Sequence, residues 1–172
     1  METKEQAIEI LNRSNYQTLS ASLSEFNKEY IELLIQDLLM YVSNDITVGK
    51  IELVEQYQVS KELSQEIVGV PSAYSAMDAP EEVLISFSEA YSKMEIKEYD
   101  VLAKECLLDF LNLHNGLFVV RLSKLNISEL TLSVPKQNGA FLMTSPATGK
   151  ITVIPVTFSF GTTRFLLCEL EA

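Results

Sequence analysis

The sequence predicts an α+β fold in which long helices pack on one face of a largely antiparallel sheet. Two stretches, about 25–42 and 97–115, carry apolar residues at helical spacing. The last third of the chain alternates apolar with polar or small residues, the period of a half-buried strand. Turn-forming dipeptides (Asn138-Gly139, Thr148-Gly149 and Gly161-Thr162) punctuate that third as hairpin signals. At 172 residues the chain is long enough for one domain with a full core.

The elements follow in order. Residues 3–13 form a short amphipathic segment with Ile8, Ile10 and Leu11, and residues 1–21 read as an N-terminal extension or helix before a domain spanning 22–172. Ser22 and Glu25 have capping-box spacing for a long helix to about Val42, whose Phe26, Tyr30, Leu33, Leu34 and Leu38 share a face. Asp45–Tyr57 reads as extended with Gly49 interrupting, and Glu66–Tyr74 is another apolar run. After the break at Ala79-Pro80, Val83–Phe87 reads as a buried strand and 88–96 as a short helix or turn. The second long helix spans about 97–115, with Gly116 as its C′ residue. Strands are expected near 126–134, 139–144, 150–159 and 163–170, with Pro155 marking an edge or a bulge. The order helix-then-strands occurs twice, a hint of internal pseudo-symmetry.

Composition excludes several classes. A net charge of −11 argues against nucleic acid and anionic membranes as partners. No apolar run reaches bilayer length, and the N-terminus lacks the basic-then-apolar order of a signal peptide, so cytoplasmic residence is the default expectation. Two cysteines, Cys106 and Cys168, lie inside apolar runs and read as free core thiols. One histidine, His114, leaves neither a metal cluster nor a base for a nucleophile, and near the predicted helix end it reads as a capping or interface residue.

The chemistry concentrates on the second helix. At about 100° per residue, Glu105, Asp109 and Asn112 fall within an arc of roughly 60°. Val101 and Leu108 interrupt this polar side with apolar contacts suited to docking. An acid on a rigid helix can anchor a partner's cation, and a neighbouring carboxamide can hold a water in line for attack.

The spacing Glu105-x3-Asp109-x2-Asn112-x22-Pro135, with Gly116 four residues after the asparagine, resembles the Asp/Ser-x3-Glu-x2-Asn-x22-Pro signature of the CheC/CheX/FliY chemotaxis phosphatases. The C-terminal Ile154–Gly161 run is similar to that family's last hairpin. The resemblance implies a phosphatase of CheY-type receiver domains. Asp109 would stand for the acid that pairs with a receiver lysine, and Asn112 for the amide that orients the attacking water. Glu105, Val101 and Leu108 would touch the receiver, and Pro135 would shape the chain beside the site. The receiver would bring Mg²⁺ and the phosphorylated aspartate, so the chain needs no cofactor of its own. No second acid-x2-Asn occurs on the first long helix, so the resemblance is to single-site, CheX-like members, for which a homodimer is also implied.

Two positions depart from the pattern. Asp109 is one methylene shorter than the family's glutamate, and Glu105 stands where Asp or Ser is usual. From one turn earlier, Glu105 is placed to substitute for the shorter acid. Two rival readings stay open at this point. One is a non-enzymatic module that docks a receiver or a flagellar-switch component. The other is an unrelated interaction domain in which the spacing is chance.

Overall fold

The computed structural model of the chain describes residues 2–145 and 150–170. Helices α1 (Thr3–Asn12), α2 (Tyr16–Ser20) and α3 (Glu25–Tyr41) precede strands β1 (Thr47–Val48), β2 (Glu52–Val54), β3 (Gln56–Val59), β4 (Glu62–Val68) and β5 (Ser72–Asp78). Helices α4 (Glu81–Ser92) and α5 (Val101–Lys124) follow, then β6 (Thr131–Leu132), β7 (Lys136–Asn138), β8 (Phe141–Thr144), β9 (Ile151–Phe158) and β10 (Gly161–Leu170). The main sheet runs β1-β9-β10-β5-β4-β6, with β2 also on β9 and β7 also on β4. Its described pairings are all antiparallel.

Period-2 alternation divides the core. Phe165 and Leu167 of β10, with Ile154, Val156 and Phe158 of β9, join the helices in the main cluster. Leu166 and Cys168, with Ile151 and Val153, face the other way, under a two-stranded β3–β8 ribbon that contributes Val59 and Met143. The helices therefore take one face of the sheet, as the sequence predicts, and a ribbon covers part of the other. The N-terminal segment joins the core through Ala7 and Leu11 of α1, and Asn15 brackets the backbone of Ile51 with hydrogen bonds of 2.9 Å in both directions.

Both outer positions of the sheet are bulged. Between β1 and β2, residues 49–51 face only Ile154 and Pro155 of β9, so Pro155 lies opposite a bulge. Between β6 and β7, residues 133–135 face only Gln65 and Glu66 of β4. The second bulge contains Pro135 and lies beside α5.

Several expectations are corrected. Val83–Phe87 is helical, not a strand, and 88–92 continues the same helix. Pro80 caps α4, and Glu81 and Glu82 occupy its first turn, where acids suit the helix dipole. Val83, Leu84, Phe87 and Ser88 are the buried positions, a helical stripe that a five-residue apolar run cannot distinguish from a strand. Ser24, not Ser22, caps α3, accepting from the Asn27 N–H at 3.1 Å.

Gly116 is not a C′ residue. The helix begins at Val101 and passes through Gly116 to Lys124. Its continuation is held by Phe118 and Leu122, both fully buried, with Phe118 edge-on to Phe26 at 5.0 Å and to Tyr30 at 5.3 Å. Burying two large side chains contributes about 1.5–3 kcal/mol each, which outweighs the roughly 1 kcal/mol helix cost of one glycine. The expected strand at 126–134 shrinks to Thr131–Leu132, because Asn126, at φ 56°, turns the chain out of the helix. Asn138-Gly139 does not close a hairpin, since β7 pairs with β4 and β8 with β3. The last hairpin turns at Ser159-Phe160, and Gly161 opens β10 at φ 134°, where a Cβ would meet Val83 Cγ2 at 2.6 Å. The Thr148-Gly149 turn lies outside the described residues.

His114 is neither a cap nor a surface group. It is fully buried in mid-helix, and its Nδ1–H donates to Asp37 Oδ2 of α3 at 2.7 Å. This bond ties the two long helices together.

The open space around Gly116 gives a direct check, since nothing lies within 4 Å of where its Cβ would be. Gly116→Ala is expected to raise stability by about 0.5–1 kcal/mol in a urea titration. A C′ glycine in the left-handed region would instead lose stability on the same change.

Candidate functional site

Helix α5 is anchored at its start by Asp100, whose Oδ1 accepts from the Ala103 N–H at 3.0 Å. Its inner face buries Leu107, Phe110, Leu111 and Phe118. Phe110 meets Phe87 of α4 at 5.2 Å and Phe165 of β10 at 6.4 Å. With that face fixed, the outer ridge is fixed too. Glu105, Asp109 and Asn112 are all exposed on it. Val101 is 66% exposed, while Leu108 and Gly116 are half-buried. The second bulge adds Val134, 80% exposed, and the half-buried Pro135 alongside.

Asn112 is exposed but not loose. Its Oδ1 accepts from Gln65 Nε2 of β4 at 2.7 Å. The same Gln65 nitrogen donates to the Ser133 carbonyl at 2.9 Å, and Gln65 Oε1 accepts from Asn115 Nδ2 at 2.9 Å. Gln65 and Asn115 are buried. Strand, helix and bulge thus meet at one amide.

Asp109 leans the other way. Tyr91 of α4 donates its hydroxyl to Asp109 Oδ2 at 2.7 Å. Burial, this hydrogen bond and the carboxylate's charge together push the Tyr91 phenol well above its ordinary range. Glu105 makes no hydrogen bond or ion pair among the described residues and is free to meet a cation. Where the helix begins, Lys61 and Lys104 sit over the Tyr99 ring at 5.1 and 5.2 Å from its centroid. Lys61 is also paired with Glu81 at 3.1 Å, so the ridge runs from a mixed-charge helix start to an acidic middle and a carboxamide. Among the described residues no cluster of three or more His, Cys, Asp or Glu could hold a metal ion, and no helix is long and apolar enough to cross a membrane.

The sequence singles out the ridge residues but not Gln65, Tyr91, Ser133 or Val134. Gln65 does leave one trace, a polar residue at an inward position of β4 between Leu63 and Ile67, both fully buried. Tyr91 leaves none, because its partner lies on another helix.

No protein-family model matches the chain, and no curated protein sequence is similar to it. Solved structures are similar. A CheC-like superfamily protein from Shewanella sp. PV-4 superposes with a TM-score of 0.73 at 14% identity, covering 87% of this chain and 100% of that one. A chemotaxis protein CheX from Desulfovibrio desulfuricans gives 0.69 at 12% identity, covering 85% and 99%. The CheX–CheY–BeF₃–Mg²⁺ complex from Borrelia burgdorferi gives 0.64 at 14% identity, covering 86% and 99%. At these identities the likeness is one of fold, and the fold is that of the CheX- and CheC-like chemotaxis proteins.

The Tyr91–Asp109 bond generates a pH prediction. Tyr91 ionises higher in the folded chain than the ordinary value of 10.0, so its stabilising contribution is complete below that pH. It is lost as pH rises through the raised folded value. A tyrosinate absorbance titration of Tyr91→Phe should lack one late-ionising phenol, and the alkaline loss of stability should be smaller than in the wild type. Equal late-titrating amplitudes in the two proteins would contradict the bond.

Proposed function

We propose that this chain is a phosphatase of a phosphorylated response-regulator receiver domain. The observation that carries this is an exposed carboxamide, Asn112, held by its oxygen beside two exposed acids on a rigid helix. The fold supports it, because a structure with the same architecture is a CheX bound to CheY with BeF₃ and Mg²⁺. The receiver would bring its own Mg²⁺ and the phosphoryl group, and both partners would be cytoplasmic.

The chemistry asks little of the chain beyond position. Water attacks phosphorus in line, the bond from phosphorus to the aspartyl oxygen breaks, and inorganic phosphate leaves a free carboxylate on the receiver. Asn112 holds the water. Glu105 anchors a receiver cation, since Asp109 is shorter and already shared with Tyr91. Val101, Leu108 and Val134 supply apolar contact around the ridge. Pairing of two copies into a homodimer is part of the same proposal and is checked by light scattering.

The tie between Asp109 and Tyr91 also favours a second reading, a non-enzymatic module that docks a receiver or a flagellar-switch component. The two part on one assay. CheY-type receivers of the same organism are phosphorylated with acetyl phosphate, and the decay of the phosphorylated form is followed. On the phosphatase reading the wild type accelerates decay, and Asn112→Ala loses about 100-fold or more of that acceleration while binding the BeF₃⁻-activated receiver as before. Binding without acceleration by the wild type supports the module instead.

The acids should separate as well. Glu105→Ala is expected to weaken receiver binding more than Asp109→Ala, and the wild-type affinity should fall with added salt more steeply than that of Glu105→Ala. An equal, small effect of both substitutions would remove the acids from the interface.

A further inference from the structure

Gln65 is the least expected residue in the sheet. It is 1% exposed, in an inward-facing row with Leu63 and Ile67. A polar group in such a row is tolerated only when it is hydrogen-bonded. Gln65 meets that condition with both amide hydrogens and with its oxygen, each directed at a different residue: Asn112 of α5, Ser133 of the bulge, and Asn115 of α5.

The polarity of this chain of amides is determined by one atom. The Ser133 carbonyl can only accept, so the nitrogen of Gln65 must face it. The second hydrogen of that nitrogen then meets the oxygen of Asn112, and the Gln65 oxygen is left for the nitrogen of Asn115. Flipping Asn112 would set two NH₂ groups against each other. The Asn112 oxygen is therefore held inward, and its Nδ2, which has no partner among the described residues, is left for solvent. The network is kept at a cost, for the buried Asn115 Oδ1 has no partner among the described residues. Packing alone would be served better by an aliphatic side chain at position 65.

We propose that Gln65, through Asn115 and the Ser133 carbonyl, is a positioning residue for Asn112, which it pre-sets in one orientation before a receiver docks. The proposal rests on the phosphatase reading and deepens it. Gln65 touches no substrate. It removes the rotation and the flip that would otherwise have to be frozen in the transition state.

The test combines kinetics with a probe that needs no activity. Gln65→Met keeps the size and removes every hydrogen bond. It is expected to leave the affinity for the BeF₃⁻-activated receiver within about threefold, while the maximal dephosphorylation rate falls roughly 10- to 100-fold. In the free protein, ¹⁵N relaxation of the Asn112 side-chain NH₂ should show an ordered group in the wild type and a mobile one in Gln65→Met. Asn115→Ala, which removes only the donor to Gln65 Oε1, carries the same test if Gln65→Met fails to fold, with a rate loss of about three- to tenfold. Acceleration lost in Asn112→Ala but intact in the folded Gln65 or Asn115 variant overturns the positioning role and leaves the phosphatase reading standing. An Asn112 amide equally ordered with and without Gln65 overturns it too. No acceleration by the wild type overturns the phosphatase reading, and the positioning role of Gln65 with it.

Discussion

Burial of the inner face of α5 is the constraint on which the other features depend. Leu107, Phe110, Leu111, Phe118 and Leu122 enter the core together, and Phe110 sits among the rings of Phe87, Tyr91 and Phe165. Protein interiors are close-packed and tolerate little displacement, so a helix seated this way cannot roll. Its outer ridge is fixed as a consequence. Packing alone presents an acid and an amide at set positions on the ridge. The helix carries them as a rigid rail carries its fittings.

Two polar ties refine that placement from opposite sides. The Asp37–His114 bond joins α3 to α5 within the core, and Gln65 joins β4 to Asn112 and Asn115 beside the bulge at 133–135. Apolar packing is non-directional and cannot set a side-chain rotation. Hydrogen bonds can, because an amide presents donors on one side and an acceptor on the other. The bulge at 133–135 belongs to this arrangement, since it presents the Ser133 carbonyl to Gln65. Pro135, without an N–H, suits a segment that leaves the regular ladder.

Acid placement divides the labour in a way that one-dimensional spacing does not convey. Asp109 and Asn112 lie on the same ridge, yet their side chains are held by different neighbours, α4 for one and β4 for the other. Glu105 stands unheld between Lys104 at the helix start and these two. A longer, unencumbered carboxylate is better suited to reach across an interface than a short one already sharing a proton donor.

The α+β class, the two long helices, the ridge of Glu105, Asp109 and Asn112 and most of the C-terminal strands were legible in the sequence. Each depends on residues within a few positions of one another, so local periodicity reports them. The helical nature of 83–87, the passage of α5 through Gly116, the burial of His114 and the one-way orientation of Asn112 were decided by the tertiary structure. In each case the deciding partner is remote: Phe110 and Phe165 around Phe87 for 83–87, Phe26 for the helix beyond Gly116, Asp37 for His114, Gln65 for Asn112. A local pattern reports which face a residue occupies. What meets that face, and which way an amide then turns, depends on the elements that folding brings beside it.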